Sequence, residues 1–305
     1  MSKRTQIILI ALAVVAVVLI FIWKPTSVVY GLQRAGLYAA IALPMALVLG
    51  IVHIVNLAHG EMMMVAAYMT YYLSRALGVD PFVATLITAP VMFVVGVLLY
   101  RLTISHAIKA PELNQLILTF GIAMVLSQFI NLLTTSQPRK ISLAYVSASA
   151  TVGETTFGIY DFLFVGLAVA VLVGLQLFLK RTRLGQAATA VGQNPNGARI
   201  VGINVQRTYT LVFAIAAGLI GIIGTFFLTK FSIFPTVGGT YTMKSFCLVA
   251  MAGIGNLPMI AVGSLILGIA ESTIQALPDG SGWAPLVFFG LIIFVILARS
   301  FRRAS

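Results

Sequence analysis

A group of polar residues that could bind a ligand or transfer protons interrupts the apolar sequence between residues 51 and 61. The group comprises His53, Asn56, His59 and Glu61. Ionisable side chains at membrane depth are costly and usually face the bundle interior or water. Two interpretations remain open: a polar helix end near the cytoplasmic surface, with Asn56 capping the next helix, or an element that lines a translocation path. No metal site is expected, because two histidines and one glutamate at this spacing match no known zinc-ligand pattern.

A further acidic residue, Glu271, lies in an apolar stretch near the C-terminus. A carboxylate in such a position must be ion-paired, protonated or exposed to water. Lys244 and Arg34 are conceivable partners, and the sequence fits an ion pair and a path-lining role equally well. The residues predicted to line or brace a path are therefore Asn56, His59, Glu61 and Glu271.

The longest polar interval of the chain is the basic loop from Lys180 to Arg207, which contains five basic residues and no acidic one. We predict a short helix at Leu184–Val191 and a break at Asn194-Pro195, because the residue before proline is pushed out of the helical region. Pro195 can open a second helical turn, and Gly202 can end it. Basic loops of membrane proteins lie on the cytoplasmic side, so two short helices there would suit contact with another protein.

The composition places the chain among integral membrane proteins. Of its 305 residues, 60% are hydrophobic and 9% are charged, and the mean hydropathy is +1.06. A soluble domain keeps about 25% charged residues. The net charge of +12 reflects basic residues in short loops, so orientation in the bilayer explains it better than nucleic-acid binding does. Cys247 is the single cysteine, so neither a disulfide framework nor a thiol metal cluster is expected.

We predict an all-α, polytopic bundle of about ten transmembrane helices, some broken or short, that forms one domain over residues 1–305. The predicted spans are Ile7–Trp23, Val28–Gly50, Gly60–Leu77, Phe82–Tyr100, Leu113–Leu133, Phe162–Leu179, Tyr209–Leu228, a short helix from Thr242, Met259–Ala276 and Ala284–Ala298. The first is interpreted as an uncleaved extra span, since no small-residue cleavage site follows it. With both termini cytoplasmic, 12 of the 19 basic residues lie inside and 7 outside, which favours that orientation.

Several function classes lack their sequence signals. The chain has no Walker A motif, no H-E-x-x-H or G-x-S-x-G motif, and no filter-like TVGYG sequence. An intramembrane enzyme built on His53, His59 and Glu61 would lack a nucleophile or metal set. A stand-alone secondary carrier remains a rival, although coupled carriers generally need buried carboxylates in several spans.

Four segments, in order along the chain, carry a resemblance to a known family. They are GLYAAIALPMALVLGIVHIVNLAHGEMMMVAAYM at Gly31–Met69, NQLILTFGIAMVLSQ at Asn114–Gln128, the basic loop ending in GIN, and MKSFCLVAMAGIGNLPMIAVGSLILGIAE at Met243–Glu271. The sequence resembles the permeases of branched-chain amino-acid ABC importers, whose N-terminal signature has the core NLAHGE or NFAHGE. The resemblance covers nearly the whole chain after the first span.

The resemblance implies a permease of the bacterial inner membrane that is not itself an enzyme. It implies two cytoplasmic ATPase subunits that hold ATP and Mg²⁺, a second related permease and a periplasmic solute-binding protein, with no cofactor on this chain and no nucleic-acid partner. The loop 180–207 would couple the permease to an ATPase. The predicted coupling residues are Arg183, Leu184, Gly185, Ala188, Gly192, Asn194, Arg199 and Gly202. Importers of urea, short-chain amides and some aromatic acids carry nearly the same signatures, so these remain alternative cargoes.

Overall fold

The computed structural model describes residues 25–108, 110–134, 136–152, 155–277, 279–280, 282–286, 288–290 and 293. The predicted first span, Ile7–Trp23, lies outside the described residues, and so does much of the predicted last span, Ala284–Ala298.

Helices form most of the described chain, as the composition predicts. Their bounds are α1 Pro25–Val52, α2 His59–Leu77, α3 Pro81–Leu99, α4 Glu112–Thr134, α5 Phe162–Arg181, α6 Arg183–Gln193, α7 Pro195–Ile200, α8 Val205–Lys230, α9 Val237–Ala252 and α10 Leu257–Gln275. Helix α3 continues through a π-helical turn at Tyr100–Ile104 and a last turn at Ser105–Ala107. An all-α polytopic membrane fold is therefore confirmed in outline.

Six of the described helices are long and apolar enough to cross a membrane. They are Thr26–Val52, Pro81–Ala107, Glu112–Thr134, Phe162–Arg181, Val205–Lys230 and Leu257–Gln275. Two further predicted spans, α2 and the short α9, are helical but do not meet the same criteria for length and hydropathy.

The polar segment between α4 and α5, which the sequence analysis leaves between two predicted spans, contains regular structure that the analysis missed. A 3₁₀ turn at Ala144–Ser147 precedes an antiparallel hairpin of β1 (Ser149–Val152) and β2 (Thr155–Gly158). Thr151 and Thr156 face each other across the hairpin with hydroxyls 3.1 Å apart, a cross-strand pair that supports pairing of such polar strands.

Helices α1 and α8 form the centre of the bundle. In α1 and α8, 89% and 78% of the most apolar segment is buried, whereas the corresponding figures are 22% for α3, 17% for α4 and 22% for α5. The first two helices are therefore surrounded by protein, and the other three present most of their apolar surface outwards, to lipid or to other subunits.

Small residues allow the central helices to approach their neighbours closely. The spacing Ala217/Gly221 in α8 and Ser264/Gly268 in α10 predicts such contacts. Gly221 packs against the Met92 side chain of α3. A Cβ placed on Gly268 would lie 2.5 Å from the Gly31 carbonyl oxygen of α1, closer than any side chain could sit. Glycine is thus required where α10 crosses α1.

Replacing Gly268 with leucine should lower the stability of the protein by about 1–3 kcal/mol, because the side chain would force α10 away from α1. The matched control is Gly174→Leu, at an α5 position where an added Cβ would meet nothing within 4 Å. Thermal unfolding of the detergent-solubilised protein, followed by size-exclusion chromatography, measures both. Equal melting temperatures for the two variants would contradict the close α1–α10 contact.

Candidate functional site

Helix α2 begins in the middle of the polar stretch, and its start differs in detail from the prediction. The cap residue is Ala58, not Asn56, and no side chain caps the helix there. Buried Asn56 instead accepts a hydrogen bond from the Ala58 backbone N–H at 3.1 Å and so holds the turn that leads into the helix. The prediction that Asn56 caps the helix was therefore wrong by two residues, although its role at the helix start is local and structural.

His59 connects the first turn of α2 to the middle of α1. Its Nε2 lies 2.8 Å from the carbonyl oxygen of Ile41, so this nitrogen carries the proton and donates. Ile41 precedes the end of α1 by 11 residues, or about 16 Å at ~1.5 Å per residue. Helix α2 thus starts beside the middle of α1 and not at its C-terminal end.

Helix α9 also begins at this depth, where it meets the start of α2. The backbone N–H of Gly60 donates to the Thr242 hydroxyl at 2.7 Å. A Cβ on Gly60 would lie 2.6 Å from that hydroxyl, and a Cβ on Gly238 would lie 2.6 Å from the Gly60 carbonyl oxygen. Both positions therefore need glycine. With 16 residues, α9 is about 24 Å long, shorter than the ~30 Å hydrocarbon core of a bilayer.

Glu61 lies where the N-termini of α2 and α9 come together. It is only 7% exposed, and its carboxyl group accepts a hydrogen bond from the Gly239 backbone. Helix N-termini carry partial positive charge, so two of them favour a carboxylate at this point. One carboxyl oxygen, Oε2, has no hydrogen-bond partner in the described part of the chain.

Glu61 also borders a cavity of about 350 Å³ between α4 and the segment that leads into α9. Polar side chains of α4 line the cavity together with Glu61, among them Ser127, Gln128 and Asn131. Ser127 donates to the Pro235 carbonyl oxygen at 2.9 Å and so connects α4 to the segment before α9. Asn56 and His59 do not line this cavity, whereas Glu61 does.

Glu271 forms an ion cluster with both of its expected partners. Its carboxylate lies 3.2 Å from Arg34 of α1 and 3.1 Å from Lys244 of α9, and Tyr38 donates to it at 2.6 Å. Lys244 also lies 4.5 Å from the centre of the Tyr38 ring, a cation–π distance. Of the two roles that the sequence left open for Glu271, the ion pair is present in the structure, and it joins three helices.

The ion cluster borders a second cavity of about 410 Å³, which also contains an ion pair that the sequence analysis missed. Lys230, at the end of α8, lies 2.7 Å from Asp161 before α5. The role of Tyr38 was missed too. A usable signal existed, because Tyr30, Arg34 and Tyr38 are spaced by four residues and so share one face of α1.

The basic loop folds into two short helices, as predicted. Thr182 caps α6 by accepting from the Gly185 N–H at 2.9 Å. Asn194 ends α6 and caps α7 by accepting from the Gly197 N–H at 2.9 Å, with Pro195 in the first turn. Gly202 has φ +85°, and the N–H of Ile203 donates to Ala198, which is the hydrogen bond of a Schellman motif.

The α6–α7 segment (Arg183–Ile200) has an anchoring face and an outward face. On the anchoring face, Gly185 contacts the Phe178 backbone of α5, Ala188 is buried, and Gly192 lies against Gly50 at the end of α1. The outward face carries exposed charged and apolar side chains. They are Arg183, Leu184, Arg199 and Ile200.

The eight predicted coupling residues therefore fall into two groups. Arg183, Leu184 and Arg199 are available for contact with another protein. The others hold the segment in shape or against the bundle: Gly185, Ala188, Gly192, Asn194 and Gly202. Among the described residues no group of three or more potential metal ligands comes together.

Replacing Glu271 with glutamine should destabilise the protein by about 1–3 kcal/mol, because Lys244 and Arg34 lose the carboxylate that compensates their charge. Adding Lys244→Gln should restore part of the loss, since it removes one of the two uncompensated charges. Melting temperatures of the single and double variants form the test, with Asp279→Asn as an acid-to-amide control at an exposed position. A double variant less stable than Glu271→Gln alone would contradict this account of the cluster.

Comparisons with known proteins cover almost the whole described chain. A family described as branched-chain amino acid transport system / permease component matches residues 27–297. The permease BraD of Pseudomonas aeruginosa is 27% identical over 90% of this chain and 93% of its own length. LivH of Escherichia coli K12 is 27% identical over 88% and 91%, and a probable LivH of Methanocaldococcus jannaschii is 26% identical over 87% of both chains.

No solved structure matches the chain significantly. The family match nevertheless spans the α2 start, the α6–α7 segment and the Glu271 cluster together. The chain therefore belongs to the family of permease components of branched-chain amino-acid transport systems, which are membrane subunits of ATP-binding-cassette importers and not enzymes.

Proposed function

We propose that this chain is a subunit of an importer that moves branched-chain amino acids across the bacterial inner membrane by alternating access. The names and near full-length similarity of BraD and LivH support this cargo. The observation that carries the proposal is the α6–α7 segment, which combines an anchored inner face with an exposed basic and apolar outer face. Such a surface suits a subunit that other proteins move.

In this proposal the chemical work is done by other chains. Two cytoplasmic ATPase subunits bind ATP and Mg²⁺, and a second related permease completes the membrane-spanning part. A periplasmic solute-binding protein delivers the amino acid. The outward surfaces of α3, α4 and α5 leave room for a neighbouring permease as well as for lipid.

We propose ten spans with both termini cytoplasmic, of which α1–α5 and α8–α10 supply eight. The basic residues support this orientation more strongly once their partners are known. Three of the seven basic residues on the proposed outer side, Arg34, Lys230 and Lys244, are held in ion pairs with carboxylates. Ion pairing already explains the positions of these three residues. Among the described residues, no basic residue on the proposed inner side forms an ion pair, so the excess of unpaired basic residues on that side supports the orientation.

The contacts of α6 suggest how movement would reach the bundle. A push on the outer face of α6 would pass through Gly192 to the end of α1, and through Gly185 to the end of α5. Helix α1 is the central helix and contacts both His59 and the Glu271 cluster. Rocking of α1 would therefore change both cavities at once. Asn56 and His59 brace the path in this mechanism, and Glu61 and Glu271 line it.

The proposed topology predicts which sites a membrane-impermeant maleimide can label in intact cells. In a Cys247→Ser background, Asn196→Cys in α7 should stay unlabelled until the membrane is opened. Gln137→Cys, in the loop after α4, should react in intact cells. Both parent side chains are exposed, so burial cannot account for a difference between them.

Labelling of Asn196→Cys in intact cells would place the α6–α7 segment outside and remove the physical basis for coupling to cytoplasmic ATPases. The Gln137→Cys variant serves as the control for reagent and expression in the same cells.

Reversing two exposed charges on the outward face should weaken ATPase binding. We expect Arg183→Glu with Arg199→Glu to lower co-purification of the ATPase subunits about tenfold or more, since like charges would replace attractive contacts at the interface. Arg75→Glu with Lys140→Glu makes the same charge change at exposed positions on the proposed outer side and should leave co-purification unchanged. Equal losses in both double variants would argue against a specific role of this face.

A further inference from the structure

We propose that the cavity beside Glu271 is a substrate subsite that binds the carboxylate group of an apolar amino acid between Arg34 and Lys230. This inference rests on the proposed import function and adds to it a place and a chemical group for recognition. The cavity is bordered by α1, α5, α8, α9 and α10 and by Asp161, which precedes α5.

The first argument is the charge of the cavity wall. Among the described residues that line it, three are cationic and two are carboxylates, which leaves one positive charge in excess. The cations are Arg34, Lys230 and Lys244, and the carboxylates are Asp161 and Glu271. A ligand with one carboxylate group would balance this charge, and the balance would lower the cost of keeping the cations away from bulk water.

The second argument concerns the cations whose N–H donors remain available to a ligand. Within the described chain, Arg34 makes one side-chain hydrogen bond, to Glu271 at 3.2 Å, and its side chain is 37% exposed. A guanidinium has five N–H donors in a fork that matches a carboxylate, so most of its donors remain. Lys230 is 33% exposed beside Asp161. Lys244 is different, since it is only 18% exposed and bonds to Glu271 and to the Tyr38 hydroxyl.

The third argument is that the carboxylates of the wall are already occupied. Glu271 accepts from Arg34, Tyr38 and Lys244, and also from Gln275 at 3.4 Å. Asp161 has both of its oxygens within hydrogen-bond distance of Lys230. No carboxylate of the described wall is therefore free to pair with the ammonium group of a ligand, and recognition through the carboxylate is the stronger expectation.

The remainder of the wall suits an apolar side chain. Leu37, Phe164 and Phe231 supply hydrocarbon surface next to the two cations. A volume of about 410 Å³ lies in the range of about 300–1,000 Å³ usual for small-molecule sites. The rim is fixed, because Tyr30 and Gln33 of α1 donate to carbonyl oxygens of strand β2 at 2.8 and 3.1 Å.

The test uses the complete purified importer in lipid nanodiscs, without the solute-binding protein. Equilibrium binding of radiolabelled leucine is measured by scintillation proximity. Two competitors test the two charged groups of leucine separately. 4-Methylpentanoate keeps the carboxylate and lacks the amino group, and 3-methylbutylamine keeps the amine and lacks the carboxylate. We expect 4-methylpentanoate to displace leucine within about tenfold of leucine itself, and the amine to fail at a hundredfold excess.

Variants locate the site. Arg34→Gln and Lys230→Gln should each raise the dissociation constant of leucine at least tenfold, while Arg34→Lys should retain part of the affinity. Arg75→Gln, an exposed position outside the cavity, should bind as the unchanged protein does. Because Arg34 also contacts Glu271, the melting temperature of each variant is recorded beside its affinity, and Lys230→Gln stands as an independent test if Arg34→Gln is unstable.

The inference is overturned if the unchanged importer shows no saturable leucine binding, if the amine competes as well as the acid, or if folded Arg34→Gln and Lys230→Gln bind leucine normally. ATP-driven uptake with the binding protein, measured in the same preparation, distinguishes a failure of the subsite from a failure of the proposed import function. Uptake without direct binding would reject the subsite alone, whereas absence of both would reject the proposed import function as well.

Discussion

The structure depends on hydrogen-bond partners for the free backbone N–H groups at helix ends that lie inside the bundle. Helices α2 and α9 both begin beside the middle of α1, far from the lipid headgroups that would otherwise accept hydrogen bonds from their first backbone N–H groups. An unpaired backbone group in hydrocarbon costs several kcal/mol, so the protein must supply the partners itself. Thr242, Asn56 and Glu61 do so, and the crossing at Gly60 and Gly238 brings the two helix starts close enough to share them.

The neighbouring elements are arranged around this crossing. His59 attaches it to the middle of α1, and α9 continues from it to Lys244, whose ion pair with Glu271 brings in α10. One central helix thus contacts the polar groups of both cavities. Glu61 borders the smaller cavity and has one buried oxygen without a partner among the described residues, whereas Glu271 is fully engaged by its partners. The two carboxylates, which the sequence presents as similar, differ in what they leave available.

The long helices and the α6–α7 break could be predicted from the sequence because their causes are local. Apolar runs fix the spans, and Asn194-Pro195 and Gly202 fix the two short helices. The partners of Glu271 could be predicted because a buried charge requires them. The pair Lys230–Asp161 could not, since it joins chain segments that meet only in the folded protein. The hairpin after α4 and the Ala58 cap are local, but polar strands and a helix start without a capping side chain carry no distinct sequence signal. The sequence pattern therefore predicts the helices and the need of buried charges for partners. It does not predict how deep in the bundle a helix starts.

The contact between Gly60 and Gly238 limits how the protein can diverge. Each glycine occupies the space that a side chain on the other helix would need, so a larger residue at either position is blocked by the backbone opposite. Few substitutions at Gly60 or Gly238 can therefore be neutral. No compensating change at the other position is available, because glycine is already the smallest residue. In the proposed import function, a change of cargo, by natural drift or by engineering, would come from the walls of the two cavities, while the contact between Gly60 and Gly238 stays unchanged.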